Sequence, residues 1–140
     1  MIQLRPKEPS DGDSLLQIWR DAVDATHDFR SPRDRAAIDT LVADYVREAE
    51  LTVAVLDGKP VAFMGVTGQG IDSLFVAPEA HGLGIGRLLA DGVARPTTVD
   101  VNEQNAGAAA FYRRLGFQRI GRSERDGDGR PYPLLHMRRD

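Results

Sequence analysis

The sequence predicts a mixed α/β (α+β) fold, with one central sheet, mixed but mostly antiparallel, flanked by helices in the order β-αα-βββ-α-β-α-ββ. Three observations carry this. Short runs alternate apolar and polar residues between Gly, Pro and Asp. Elsewhere apolar residues recur at three- and four-residue spacing. Between 51 and 78, three strand-like runs follow one another with no helix among them. That last feature argues against the alternating βα units of a dinucleotide-binding sheet. At 140 residues, the chain is expected to form one domain spanning 1–140.

Each element has its own signal. Residues 2–5, "IQLR", alternate as a half-buried strand. After Pro6 and Pro9, "SDGD" offers caps for a helix over about 13–25, with Leu15, Leu16, Ile18, Trp19 and Val23 as its apolar stripe. "THDFRSPRD" (26–34) reads as a loop, and a second helix follows over about 34–49. "LTVAVL", "DGK" and "PVAFMGVTG" form a hairpin, because Asp-Gly suits the turns that match strand twist. "IDSLFVAP" (71–78) is the third strand of the run. A helix over about 84–95, a strand at 97–101 and a helix at 106–115 come next. A last hairpin, "FQRIGRSE" with "YPLLHMRR", closes the pattern.

Composition narrows the function. A net charge of -3 gives no basic footprint, so a nucleic-acid partner is not expected. The absence of cysteine excludes disulfides and any thiol nucleophile, and fits a reducing cytoplasm. "MIQLRPKEPSDGD" turns polar too soon for a signal peptide. No apolar run reaches the roughly 20 residues a membrane helix needs. The expectation is a cytoplasmic protein without a membrane partner, monomeric or homodimeric. No His/Asp/Glu cluster has metal-site spacing, so no metal is expected.

"HGLGIG" (81–86) directly follows the strand at 71–78 and opens a helix. Glycines there let successive N–H groups converge at a helix start, which makes a site for an anion such as a diphosphate. The loop lacks the Lys-Ser/Thr of a P-loop, and its GxGxG spacing is not the dinucleotide GxGxxG. "LFVAPEAHGLGIGRLLAD" resembles the acetyl-CoA-binding motif of the GNAT superfamily of N-acetyltransferases, a strand ending in V-x-P, then Arg/Gln-x-x-Gly-x-Gly/Ala and a helix. His81 stands at the Arg/Gln position, which departs from the family, followed by Gly82, Gly84 and Gly86. The resemblance implies a CoA diphosphate on the amides of Leu83, Gly84, Ile85, Gly86 and Arg87. It also implies a pantetheine arm along the main chain of Leu74, Phe75 and Val76.

"VDVNEQNAGAAAFYRRLGF" (99–117) resembles the family's other signature, a strand ending in V-x-x-x-N and a helix carrying A-x-x-F-Y-x-x-x-G-F. Asn105 matches the asparagine near the pantetheine and also sits where an N-cap would. Tyr112 matches the tyrosine that serves as general acid to the departing thiolate. Its structural alternative is a core aromatic with a wet hydroxyl. The base that frees the amine is less marked. Asp72 is the first candidate, read as sharing a strand face with Leu74 and Val76, and Asp100 and His27 are rivals. Trp19, His27 and Phe29 are the acceptor-site candidates, with core filling the preferred reading of Trp19. His136 reads as a satisfied sheet histidine or an edge residue.

The resemblance implies an acetyl-CoA-dependent N-acetyltransferase whose sheet splays beside the strand at 71–78, with acetyl-CoA in the opening. The acceptor amine, entering from the opposite side, attacks the thioester directly. The alternative from another class is a non-catalytic acyl-CoA-binding sensor or partner module.

Overall fold

The computed structural model describes residues 1–26 and 29–140; His27 and Asp28, and with them the expectation for His27, lie outside the described residues. Seven strands form one sheet: β1 (Ile2–Pro6), β2 (Thr52–Leu56), β3 (Lys59–Thr67), β4 (Gly70–Val76), β5 (Thr97–Asn102), β6 (Gln118–Ser123) and β7 (Leu134–Arg139). Four α-helices flank it: α1 (Gly12–Ala25), α2 (Pro32–Glu48), α3 (Ile85–Asp91) and α4 (Ala106–Arg114). The order across the sheet is β1-β2-β3-β4-β5-β7-β6. Every neighbouring pair is antiparallel except β4 and β5, which run parallel. The expected mixed, mostly antiparallel sheet is what forms.

Two apolar clusters cover the two faces. Leu15, Trp19 and Val23 of α1 and Val46 of α2 pack with Val53, Val55 and Phe63. On the other face Ile85 and Leu89 of α3 and Ala109 and Tyr112 of α4 pack with Val99, Val101, Leu135 and Met137. The helices are amphipathic, and each buries its stripe against one side of the sheet.

The β4–β5 pair is where the sheet opens. Its register extends only through Gly70↔Thr98 and Ile71↔Val99. Beyond Ile71, β4 has no partner on the β5 side, while Ser73 to Val76 keep their β3 partners. A bulge falls at the same place. Gly65 pairs with Ser73 and Val66 with Ile71, leaving Asp72 as the extra residue.

Two boundaries differ from expectation. Helix α2 starts at Pro32 because Ser31 caps it, its Oγ accepting from the Asp34 N–H at 3.1 Å, with proline at the first turn. The Ser-Pro step within "THDFRSPRD" is thus a helix start inside the expected loop. Helix α3 ends at Asp91 rather than near 95. Gly92 and Val93 turn their N–H groups onto Leu89 and Ala90 at 3.1 Å each, a tightened last turn that releases the chain into β5.

Candidate active site

A cavity of about 720 Å³ occupies the opening between β4 and β5, walled by α3, α4 and the end of α1. It brings together Asp72, Leu74, Phe75, Val76, His81, Gly82, Gly84, Ile85, Gly86, Arg87, Asp100, Asn105, Tyr112 and Phe29. Trp19 is elsewhere. It is buried in the core, 3% exposed, with the Arg35 guanidinium 4.9 Å above its ring. Leu83 is exposed on the loop beside the cavity.

The β4 wall offers main chain. Residues in an antiparallel pair alternate, one turning its N–H and C=O to its partner and the next turning both away. Ala77 donates to Val61 of β3, which sets the phase: Phe75 faces β3, while Leu74 and Val76 face the opening. The Val76 carbonyl is already engaged by His81, whose Nε2 lies 3.1 Å away. His81 therefore ties the glycine loop to the end of β4, and among the described residues the Leu74 main-chain groups on this wall have no partner. Phe75 reaches the cavity through its side chain.

The glycine loop offers N–H groups. Gly82 and Gly84 adopt φ of 82° and 77°, a region that favours glycine. The first helical bond of α3 runs from the Leu88 N–H to the Gly84 carbonyl at 3.0 Å. Among the described residues, the N–H groups of Leu83 to Arg87 donate to no protein acceptor. Gly86 has a different reason to be glycine: a Cβ there would sit 2.9 Å from Phe111 Cζ of α4. The Arg87 side chain is exposed at the cavity edge.

Helix α4 supplies the far wall. Asn105 Oδ1 accepts from the Ala108 N–H at 3.0 Å and caps the helix, as its sequence position predicts. Tyr112 is 6% exposed, held edge-on between Phe111 and Phe117 with ring centroids 5.0 and 5.3 Å away. Its hydroxyl has no hydrogen-bond partner among the described residues. Burial pushes its pKa well above the ordinary phenol value, so the group stays protonated throughout the neutral range.

The other side of the opening is built from side chains. Asp72 is exposed and accepts from Thr67 Oγ1 at 2.5 Å. The bulge separates it from the face it was expected to share. Leu74 and Val76 pack toward the α3–α4 cluster, while Asp72 and Ser73 turn to the α1–α2 side, Ser73 Oγ lying 2.7 Å from Tyr45 Oη. Asp100 Oδ1 bonds His136 Nδ1 at 2.6 Å, and His136 Nε2 bonds Ser123 Oγ at 2.6 Å. Sequence reasoning took His136 for a sheet or edge residue and passed over Ser123. The residues are 23 and 36 positions from Asp100, and only strand parity hinted at a shared face.

A clasp joins the start of α2 to the segment before β7. Tyr132 donates its hydroxyl to Asp34 and accepts from the Ser31 N–H at 3.2 Å. Its ring packs edge-on against Phe29 at 5.7 Å. Phe29 thus lines the cavity and anchors the clasp.

A slot lined on one wall by free main-chain groups and a glycine loop, and closed opposite by a protonated tyrosine, is the architecture of an acyl-CoA acyltransferase. The chain belongs to the GNAT family of acetyltransferases: the model of the acetyltransferase (GNAT) domain matches residues 47–119. The peptidyl-lysine N-acetyltransferase YjaB of Salmonella typhimurium is 47% identical over 141 residues, 98% of this chain and 97% of its own. Its Escherichia coli counterpart is 43% identical, covering 98% and 96%. The solution structure of apo YjaB from Escherichia coli superposes with a TM-score of 0.94 over 99% of this chain and 97% of that one, at 43% identity. PaiA N-acetyltransferase of Thermoplasma acidophilum, solved with coenzyme A, shares the fold at a TM-score of 0.69 and 16% identity, covering 97% and 98%.

Proposed function

We propose that the protein transfers the acetyl group of acetyl-CoA to the side-chain amine of a lysine in a peptide or protein. The observation that carries the reading is the opening of the sheet at Asp72, which exposes the Leu74 main chain beside a loop of undonated N–H groups. A pantetheine amide would pair with Leu74, and a diphosphate would sit on the loop. The lysine acceptor is supported by the names of the two relatives at 47% and 43% identity.

The chemistry then divides between the two walls. The ammonium loses a proton to Asp72, and the freed lone pair forms the N–C bond at the thioester carbon. The C–S bond breaks, the leaving sulfur takes the Tyr112 proton, and the new amide nitrogen gives up its second proton, which restores the Tyr112 phenol. With no cysteine in the chain, no S-acetyl enzyme can form, and the transfer we propose is direct, with donor and acceptor bound together.

Acetyl-CoA and a lysine peptide, followed by mass spectrometry, test the reading directly. Acetylated lysine with sequential, ternary-complex kinetics is expected, and ping-pong kinetics would overturn direct transfer. Tyr112→Phe should lower kcat by about 100-fold with the acetyl-CoA Kd unchanged, the scale of a lost general acid. Calorimetric binding of acetyl-CoA without turnover of any amine would instead support the non-catalytic sensor.

A further inference from the structure

The three-residue chain that runs from Asp100 at the cavity back through His136 to Ser123 has no part in the mechanism above. The three come from adjacent strands, with Asp100 opposite His136 in the β5–β7 register and His136 opposite Gly121 in the β7–β6 register. Gly121 leaves room for the imidazole, since a Cβ there would stand 3.4 Å from His136 Cδ2. An ionised carboxylate can only accept, so the proton between Asp100 Oδ1 and His136 Nδ1 belongs to the imidazole. In the neutral ring Nε2 then carries the lone pair, and the Ser123 hydroxyl donates to it.

The components are those of a hydrolytic triad, but their order toward the ligand is reversed. In a hydrolase the serine meets the substrate and the carboxylate is buried behind the histidine. Here Asp100 lines the cavity, while neither His136 nor Ser123 does. The chain presents a carboxylate rather than a nucleophile. Oδ2 of Asp100 has no partner among the described residues.

Position gives that carboxylate a task. Val99 and Val101 are buried toward α3 and α4, so Asp100 between them is directed to the acceptor-facing side. In the parallel register, the step after Ile71↔Val99 brings Asp72 and Asp100 to the two lips of the opening. Both are exposed and both line the cavity. Two carboxylates flanking one slot favour a cation between them.

We propose that Asp100 is the docking group for the ammonium of the acceptor, and that His136 and Ser123 are positioning residues that hold its carboxylate with Oδ2 toward the cavity. The inference rests on the acetyl-transfer reading and adds to it a selection for amines that arrive charged. Asp72 remains free to take the proton, because Asp100 carries the binding.

Steady-state kinetics on two acceptors test it, Nα-acetyl-lysine methylamide, which is cationic at neutral pH, and 4-methylaniline, which is not. Asp100→Asn keeps an acceptor for His136 and removes the charge. Its KM for the lysine compound should rise about 10- to 100-fold, the worth of one charge-assisted hydrogen bond. Its acetyl-CoA Kd should stay within about threefold of the parent, and its KM for the aniline should move far less than its KM for the lysine compound. His136→Asn retains a donor near the Nδ1 position and should keep most of the lysine affinity. His136→Leu should lose it as Asp100→Asn does. Equal effects on the two acceptors, a fall in kcat with KM unmoved, or indistinguishable behaviour of the two His136 variants would overturn the docking role. Parent enzyme that binds acetyl-CoA but acetylates neither compound would overturn the acetyl-transfer reading itself.

Discussion

The two walls of the opening are made of different material. The wall proposed for the donor, the end of β4 with the glycine loop and α3, offers main chain: among the described residues, unpaired N–H and C=O groups on Leu74, undonated amides from Leu83 to Arg87, and glycines that permit close approach. The wall proposed for the acceptor offers side chains, Asp72, Asp100 with His136 behind it, and Phe29 in the clasp with Tyr132 and Asp34. Main-chain recognition suits one invariant ligand, because every residue carries the same donor and acceptor. Side-chain recognition suits a variable partner, because charge and shape change residue by residue. The difference teaches where substitutions should abolish binding of the donor and where they should only change the acceptor.

Among changes that separate the two walls, the largest effect on donor binding is expected at Gly86. An added Cβ at 2.9 Å from Phe111 Cζ must push that ring, which itself lines the cavity, into the space for the donor. Overpacking of this kind costs about 1–3 kcal/mol. Gly86→Ala should therefore weaken acetyl-CoA binding by about tenfold or more in calorimetry, since each 1.4 kcal/mol is about a factor of ten. The KM for the amine should move far less. Comparable losses on both substrates would mean that the walls are not separable.

Next in size is the joint between the walls. Arg139 of β7 is 3% exposed and reaches Asp91 at 2.9 Å and the Ala90 and Leu115 carbonyls at 3.2 and 3.4 Å, stacking over Phe117. Those carbonyls end α3 and α4, where a cation is favoured by the helix dipole. One guanidinium thus fixes the strand that carries His136 to the ends of α3 and α4. Arg139→Met keeps the stem and removes the charge, and should cost about 1–3 kcal/mol in urea unfolding, the penalty for unpaired carbonyls. Both substrates should be affected together, unlike with Gly86→Ala.

The donor wall was also the legible one. "HGLGIG" and "NAGAAAFYRRLGF" place their functional groups within a few residues of each other, because a loop entering a helix is a local structure. Periodicity located the strands and helices for a similar reason. It did not locate the cap at Ser31, where a Ser-Pro step sat inside a polar stretch, nor the bulge at Asp72. An inserted residue reverses the side-chain parity that places Asp72 with Leu74, and nothing in a run of "GIDSLFV" announces it. The Asp100–His136–Ser123 chain and the Tyr132–Asp34 clasp join residues 13 to 98 positions apart. Their pairing depends on strand order in the sheet, with β7 inserted between β5 and β6, which local pattern does not encode.

The smallest effect belongs to the clasp, and pH separates it from simple packing. The Tyr132 hydroxyl donates to Asp34 and holds its carboxyl below the ordinary value of 3.8, helped by Ser31 and by Arg130 and Arg33, against the opposing cost of burial. A carboxyl that is a stronger acid in the folded state adds stability above its unfolded pKa and loses it as pH falls through the depressed value. The folded form binds fewer protons there, so stability must drop on acidification. Asp34→Asn can still accept from Tyr132 but has no proton to take up. The urea midpoint of the parent should exceed that of the variant by a small, constant margin from pH 8 to about 5, and the margin should begin to shrink as pH falls through about 4 and vanish only below the depressed folded value. A margin that persists into acid would assign the clasp to neutral hydrogen bonding and the Phe29–Tyr132 contact. In that case the acceptor wall, like the donor wall, would be held at this point by groups that do not titrate, and its charge selection would reside in Asp72 and Asp100.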